Sequence, residues 1–333
     1  MYDCLIRYER QMIRRTTKAM AVIVLAILAA VSCKEDETSA SYPSLNGYVT
    51  FNLERYIAQN TTVTMEAEGA VHPEGGEIKY SWSITPSEDD SSDDDDEEDQ
   101  TNILEYSFGD KLDTYTVTCA ASASGYSSIS ATRYTTVVAG GVDGNGSIKG
   151  VDLTGCQTYT DPRDGKEYYY TTIGGLDWFV HNLAYKTDEG SAPFYNAEVM
   201  ADVFGRYYSY EVAETACPYG WRLPTAEEWD NAFKDAKSGD LMADITFNDE
   251  NEMWEFWPDV KITNSTKFNA IPAGFANLMD GTFTDAYDRA VFWISNDSQD
   301  GNVEYRYIVD DRAEIFSQSG DRQSFGASVR CVR

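Results

Sequence analysis

The chain has 333 residues and a formal net charge of −30 at pH 7. A domain usually takes about 100–200 residues, so this length allows two domains. The strong acidity argues against DNA, RNA and anionic lipid head groups as direct partners, because binding to them requires basic patches.

Residues 1–32 predict a targeting segment. Arg14, Arg15 and Lys18 form a basic region that leads into an apolar run of thirteen residues, 19–31. That run is too short for a spanning helix, which needs about 20 residues, and suits a signal peptide. Translation can begin at Met1 or at Met12, and the second start gives the more typical signal length.

Cys33 follows Ala-Val-Ser and completes a sequence that resembles a lipobox. The resemblance implies cleavage before Cys33 and acylation of this cysteine, so a lipid anchor in the outer membrane is expected. Residues 34–37, Lys-Glu-Asp-Glu, resemble the acidic tetrapeptide that sends lipoproteins to the cell exterior in Bacteroidota-type bacteria. The alternatives are a plain secretory signal and a merely solvated linker. Residues 33–44 are predicted to be an acidic tether.

Residues 45–139 predict an all-β domain, because short runs of alternating apolar residues are separated by turns. Trp82 resembles the buried tryptophan of an immunoglobulin-like (Ig-like) strand, and Val117 takes the position of the usual cysteine. The domain therefore resembles Ig-like or polycystic-kidney-disease-type (PKD) spacers without their disulfide.

Residues 88–99 are nearly all acidic and predict a solvated loop. Residues 140–149 are glycine-rich and predict a hinge.

The stretch 217–229 predicts a turn that leads into a helix over residues 226–237. Gly220 and Pro224 mark the turn, and Thr225 with Glu228 has the spacing of a capping box. Arg222 is expected to form a buried ion pair that fixes the turn, since guanidinium is a rigid donor. Around this helix the pattern predicts strands at 168–173, 176–180, 269–275, 290–295, 303–309 and 326–332, and a short helix at 210–216.

The motif Trp221-Arg222-Leu-Pro-Thr225-x-x-Glu228-Trp229 resembles the Fibrobacter succinogenes major paralogous domain. Five further blocks follow the family order, at residues 161–168, 173–183, 268–275, 292–295 and 328–332. The resemblance covers residues 150–333 and implies a C-type-lectin-like α+β domain, distantly related to the formylglycine-generating-enzyme fold. It also implies a disulfide between Cys217 and Cys331. The predicted fold class is therefore a multidomain chain, an N-terminal all-β sandwich followed by this α+β domain.

The predicted ligand-binding residues lie between positions 254 and 300. Trp254 and Trp257 can offer aromatic faces to a sugar, although filling the core beside the helix is the commoner role of such residues. Asn296, Asp297 and Asp300 can offer oxygen atoms to Ca²⁺, although a polar turn explains them as well. No other cofactor or metal is expected.

The sequence gives little support for catalysis. Only two histidines are present, so a histidine-based triad is not expected, and His181 is predicted to be structural. The formylglycine-generating relatives use two late cysteines, whereas here the late cysteine is Cys331. Cys119 and Cys156 are predicted to be free or to join across the hinge.

The expected function is non-catalytic recognition of a glycan or a protein by a surface lipoprotein, in adhesion or glycan capture. The alternative is a structural role in a surface appendage or complex. A third hypothesis, with less support, is an enzyme of the formylglycine-generating type.

Overall fold

The computed structural model describes residues 42–87, 101–143, 145–248, 251–254, 260–296 and 301–333. The predicted signal peptide, Cys33, most of the tether, the acidic stretch 88–99, Trp257, Asp297 and Asp300 lie outside these ranges. Residues 44–333 form one compact unit. Within the described ranges, no helix combines the length and the apolar character that crossing a membrane would require.

In residues 42–87 and 101–139 the N-terminal region has eight strands, and its β structure agrees with the alternating pattern. They are β1 Asn46–Thr50, β2 Tyr56–Ala58, β3 Thr62–Glu66, β4 Glu68–Val71, β5 Lys79–Pro86, β6 Ile103–Ser107, β7 Thr114–Ser122 and β8 Ile129–Val138. One four-stranded sheet has the order β2-β8-β7-β5, and two further pairs join β1 to β4 and β3 to β6. The β2–β8 pairing is parallel and the other pairings are antiparallel.

These sheets enclose one apolar core. Trp82, Met65 and Val117 are all buried in it, and Cys119 lies directly opposite Trp82 in the neighbouring strand. Cys119 and Cys156 are both free thiols, so no disulfide joins them. Burial raises the pKa of Cys119 to about 12, which keeps this thiol protonated and unreactive.

The C-terminal region mixes short strands and helices. The strands are β9 Ile148–Lys149, β10 Gln157–Thr160, β11 Glu167–Ile173, β12 Leu176–Phe179, β13 Ser191–Pro193, β14 Arg206–Tyr208, β15 Thr246–Phe247, β16 Asn251–Glu252, β17 Phe275–Asn277, β18 Thr282–Thr284, β19 Arg289–Trp293, β20 Asn302–Val309, β21 Phe316–Asp321 and β22 Phe325–Gly326. The helices are α1 Ala201–Phe204, α2 Tyr210–Ala216, α3 Ala226–Phe233 and α4 Ser238–Leu241, with 3₁₀ turns at Phe194–Asn196 and Glu198–Met200. The described chain is thus mostly β, with several small sheets.

The glycine-rich segment 140–149 is held at its C-terminal end by specific contacts. Ser147 bonds to the backbone of Ala139 through both its amide and its hydroxyl group. β9 pairs with β15, and the Asn248 side chain donates to the carbonyl of Val137 at 3.1 Å. Tyr56 and Val138 of the N-terminal region belong to the same apolar core as Ile148 and the C-terminal helix α3.

Two predicted elements of the C-terminal region are shorter than expected. The helix predicted over 226–237 ends at Phe233, and an extended Lys237 starts the separate helix α4. The strand predicted over 269–275 is irregular until β17 begins at Phe275, since Asn269 and Gly274 have positive φ angles. Such angles interrupt a regular strand.

The segment predicted as a strand over 326–332 pairs with several different partners instead of one. Ser328 bridges to Phe292, while Val332 bridges to Trp178 and to Arg222. A segment that changes partner along its length cannot continue one regular ladder, because a ladder requires the same neighbour at successive residues. The C-terminal segment therefore lies between β19, β12 and the turn before α3 and contacts each of them.

The predicted turn and helix cap are present. The Thr225 hydroxyl accepts from the Glu228 amide at 3.1 Å, and the Glu228 carboxylate accepts from the Thr225 amide at 2.8 Å. Arg222 donates to both oxygens of Glu228, at 2.7 and 2.6 Å. The prediction of a buried pair is wrong, because the Arg222 side chain is 51% exposed. Trp221 and Trp229 are buried, and Trp229 packs against Trp178.

The predicted disulfide between Cys217 and Cys331 is confirmed, and it links residues 114 positions apart. It joins the end of α2 to the C-terminal segment. A bond that closes so long a loop contributes about 2–4 kcal/mol, mainly by restricting the unfolded chain.

Candidate functional site: the His181 cleft

A cleft of about 410 Å³ opens where the segment after β8 meets β11, the loop after β12 and helix α1. We call it the His181 cleft. Its lining residues are Gly140, Gly141, Val142, Asp143, Lys166, Glu167, Tyr169, His181, Asn182, Ala184, Ala201, Asp202, Val203 and Gly205. Clefts of about 300–1,000 Å³ hold small ligands, so this one suits a molecule of that class.

Close backbone contacts fix the walls of the cleft. The Gly141 amide donates to the carbonyl of Asp202 at 3.1 Å, which joins the segment after β8 to α1. At Gly140 an added Cβ would lie 2.4 Å from the Cβ of Asp202, too close for any side chain. Gly205 has a φ of +78°, and a Cβ there would lie 2.5 Å from the Cβ of Asn182. Both glycines are required for the elements to approach this closely.

His181 is a polar group with unused hydrogen-bonding capacity. Its Nδ1 atom is buried and has no hydrogen-bond partner in the described part of the chain. The ring stacks on Tyr168, with centroids 5.2 Å apart. Burial, together with the nearby charges of Arg330 and Lys166, lowers the pKa of His181 to about 3. The imidazole is therefore neutral at physiological pH, with one donor and one acceptor nitrogen.

Asn182, next to His181, is fixed on both sides. Its Nδ2 donates to the carbonyl of Phe204 at 2.7 Å, and its Oδ1 accepts from Nε of Arg330 at 2.8 Å. These bonds connect the inner wall of the cleft to the buried guanidinium of Arg330. The wall is therefore preorganised, because its shape does not depend on a bound ligand.

The rim of the cleft carries charged groups of both signs. The Lys166 ammonium pairs with the exposed Asp202 carboxylate, and Asp143 accepts from the amide and side chain of Asn145. Burial, with Glu167 and Asp143 nearby, raises the pKa of Tyr169, so its hydroxyl stays protonated. The cleft thus combines carboxylates, an ammonium, a phenol and a neutral imidazole.

The ligand-binding residues predicted from sequence lie elsewhere. Trp254 is only 2% exposed and belongs to the apolar core, which corrects the prediction that it offers a face to a sugar. Asn296 is half-buried, and its backbone amide and carbonyl both bond to the Tyr210 hydroxyl. Neither residue lines the His181 cleft.

The calcium prediction stays a prediction, because Asp297 and Asp300 lie outside the described ranges. Within those ranges, no cluster of three or more His, Cys, Asp or Glu residues could hold a metal ion.

The sequence did not indicate the cleft. The one signal in the sequence is His181, a histidine directly after the predicted strand 176–180, and the sequence predicts a structural role for it. The lining residues come from four stretches of the chain, near positions 141, 167, 182 and 203. No local pattern brings these stretches together.

The described chain is thus a β-rich protein with several sheets and a disulfide-linked C-terminal region. Residues 171–333 match the family model of the Fibrobacter succinogenes major domain. The predicted family domain is confirmed over these residues, while residues 150–170, with the block 161–168, precede the match. The comparisons with curated proteins and with solved structures found no match.

The pKa of His181 predicts a specific dependence of stability on pH. Between pH 6.5 and 3 this histidine is protonated in the unfolded chain but not in the folded one, so protons favour unfolding. As the pH is lowered through this window, the free energy of unfolding should therefore decrease by up to about 1.4 kcal/mol per pH unit. We expect His181→Phe, which keeps the ring stacked on Tyr168, to remove this slope near pH 5.

Urea unfolding at successive pH values measures the slope, with His72→Gln as the matched control for loss of a histidine. His72 does not line the cleft, so its variant should keep the wild-type slope. An unchanged slope in His181→Phe would contradict the assignment of a neutral imidazole.

Proposed function

We propose that this protein is a surface-exposed outer-membrane lipoprotein that recognises a glycan or a protein without catalysis, in adhesion or glycan capture. Its anchor is the acylated Cys33, and its recognition domain is the C-terminal region. The signal-peptide pattern, the lipobox-like sequence and the acidic residues 34–37 support the anchor and its exposure to the exterior.

The observation that carries the recognition function is the His181 cleft. It is concave, its walls are fixed by backbone contacts, and polar groups converge on it, as binding sites require. The described residues that line it include no serine, threonine or cysteine that could act as a nucleophile beside His181. A neutral histidine with a lowered pKa is also a weak base near neutral pH.

We further propose that residues 45–139 form an Ig-like or PKD-like sandwich and that the C-terminal domain is C-type-lectin-like. The four-stranded sheet that shares its core with two strand pairs supports the first assignment. The disulfide that joins the end of α2 to the C-terminal segment supports the second. On this proposal the N-terminal domain spaces the recognition domain from the membrane.

The anchor can be tested by labelling cells that express the full chain with an alkyne fatty acid. We expect the protein to be labelled, and Cys33→Ala to abolish the label, because acylation requires the thiol of this residue. Cys156→Ala is the matched control and should keep the label. Labelling that persists in Cys33→Ala would contradict the proposed anchor.

Recognition can be tested by applying the detergent-purified full chain to a glycan array, with calcium or with EDTA. We expect binding to a defined group of glycans without chemical change, since the cleft offers fixed polar groups that converge on a ligand. Loss of the signal in EDTA would support a calcium site at residues 296–300. No signal on any glycan would contradict glycan recognition and favour the alternative, an assembly role in a surface complex. A modified glycan would contradict the non-catalytic reading.

A further inference from the structure

We propose that the His181 cleft binds a non-anionic sugar ring and rejects uronic and sialic acids. This inference rests on the proposed recognition function and assigns the ligand class to a defined site. Three features carry it: the charge of the lining, the excess of acceptor groups and the rigidity of the walls.

The lining has a negative charge balance. It contains three carboxylates, Asp143, Glu167 and Asp202, and one ammonium, Lys166, which gives −3 + 1 = −2 while the imidazole of His181 is neutral. Lys166 is already paired with Asp202, which weakens its attraction for a ligand carboxylate. The chain as a whole carries −30, which adds to the repulsion of anions.

The hydrogen-bonding groups are mostly acceptors. Asp202 accepts one bond from Lys166 and Asp143 accepts two from Asn145, so each carboxylate keeps unused lone pairs. The Glu167 carboxylate makes no hydrogen bond within the described ranges. An acceptor-rich cleft requires a ligand that brings donors. Sugar hydroxyl groups are such donors, and they can also accept from the phenol of Tyr169.

The cleft has little freedom to adapt its width. The Gly141 amide fixes one wall to Asp202, and Gly140 has no room for even a methyl group beside that residue. Asn182 fixes the opposite wall through Phe204 and Arg330. A rigid cleft of about 410 Å³ fits the end of a glycan chain rather than an extended peptide.

The test compares three probes of similar size: methyl glucoside, glucosamine and glucuronate. Saturation-transfer NMR and calorimetry on the full chain measure their binding. We expect glucoside and glucosamine to bind, and glucuronate to bind at least about tenfold more weakly, because its carboxylate faces those of Asp143 and Glu167. The lysine of the described lining is paired with Asp202 instead.

Two double variants test the cause of the discrimination. The first double variant, Asp143→Asn with Glu167→Gln, removes two charges from the lining without changing its shape. Its affinity for glucuronate should then lie within about threefold of its affinity for glucoside. Asp188→Asn with Glu227→Gln removes two exposed charges that do not line the cleft and should keep the discrimination. His181→Gln should weaken all sugar binding, with circular dichroism to confirm that the variant is folded.

Equal binding of glucuronate and glucoside to the wild-type chain would overturn the proposal, as would sugar binding that a folded His181→Gln leaves unchanged. Failure of all three probes would also overturn it. In that case, binding on the glycan array would show that recognition occurs at another site. No binding on the array would contradict the proposed glycan recognition as well.

Discussion

The C-terminal region depends on one buried cation, Arg330, which is 0% exposed. Its guanidinium donates to the carbonyls of Phe179, Phe268 and Asn269 and to the side chain of Asn182, at 2.8–3.2 Å. Within the described ranges no carboxylate pairs with it, so carbonyl dipoles and the rings of Phe268 and Phe292 compensate its charge. Burial lowers the pKa of Arg330 to about 9, and the group stays charged at neutral pH.

This arrangement connects three distant parts of the chain: the end of β12, the irregular segment near Asn269, and the C-terminal residues. The neighbouring Cys331 forms the disulfide, and Val332 bridges to Arg222 at the turn before α3. Through Asn182, the same guanidinium fixes the inner wall of the His181 cleft. The hydrogen bonds of Arg330 therefore contribute both to the stability of the C-terminal region and to the geometry of the His181 cleft.

Features set by neighbouring residues could be predicted from the sequence. The alternating strands of the N-terminal region, the helix Tyr210–Ala216 and the capping box at Thr225 all follow from local patterns. The disulfide was expected from family resemblance alone. The cleft could not be predicted, because distant stretches form it. A tryptophan such as Trp254 more often fills a core than it offers a face to a sugar, and no local pattern separates the two roles. The partners of Arg330 are mainly backbone carbonyls, which every residue has, so no pattern marks them.

The most direct test of this account is the stability of Arg330→Met in equilibrium urea unfolding. Methionine fills the space but leaves four buried acceptors without a donor, each of which costs about 1–3 kcal/mol. We predict a loss of at least about 3 kcal/mol, whereas the exposed Arg312→Met should change stability by less than about 0.5 kcal/mol. An Arg330→Met variant within about 1 kcal/mol of the wild type would contradict the central role of this cation.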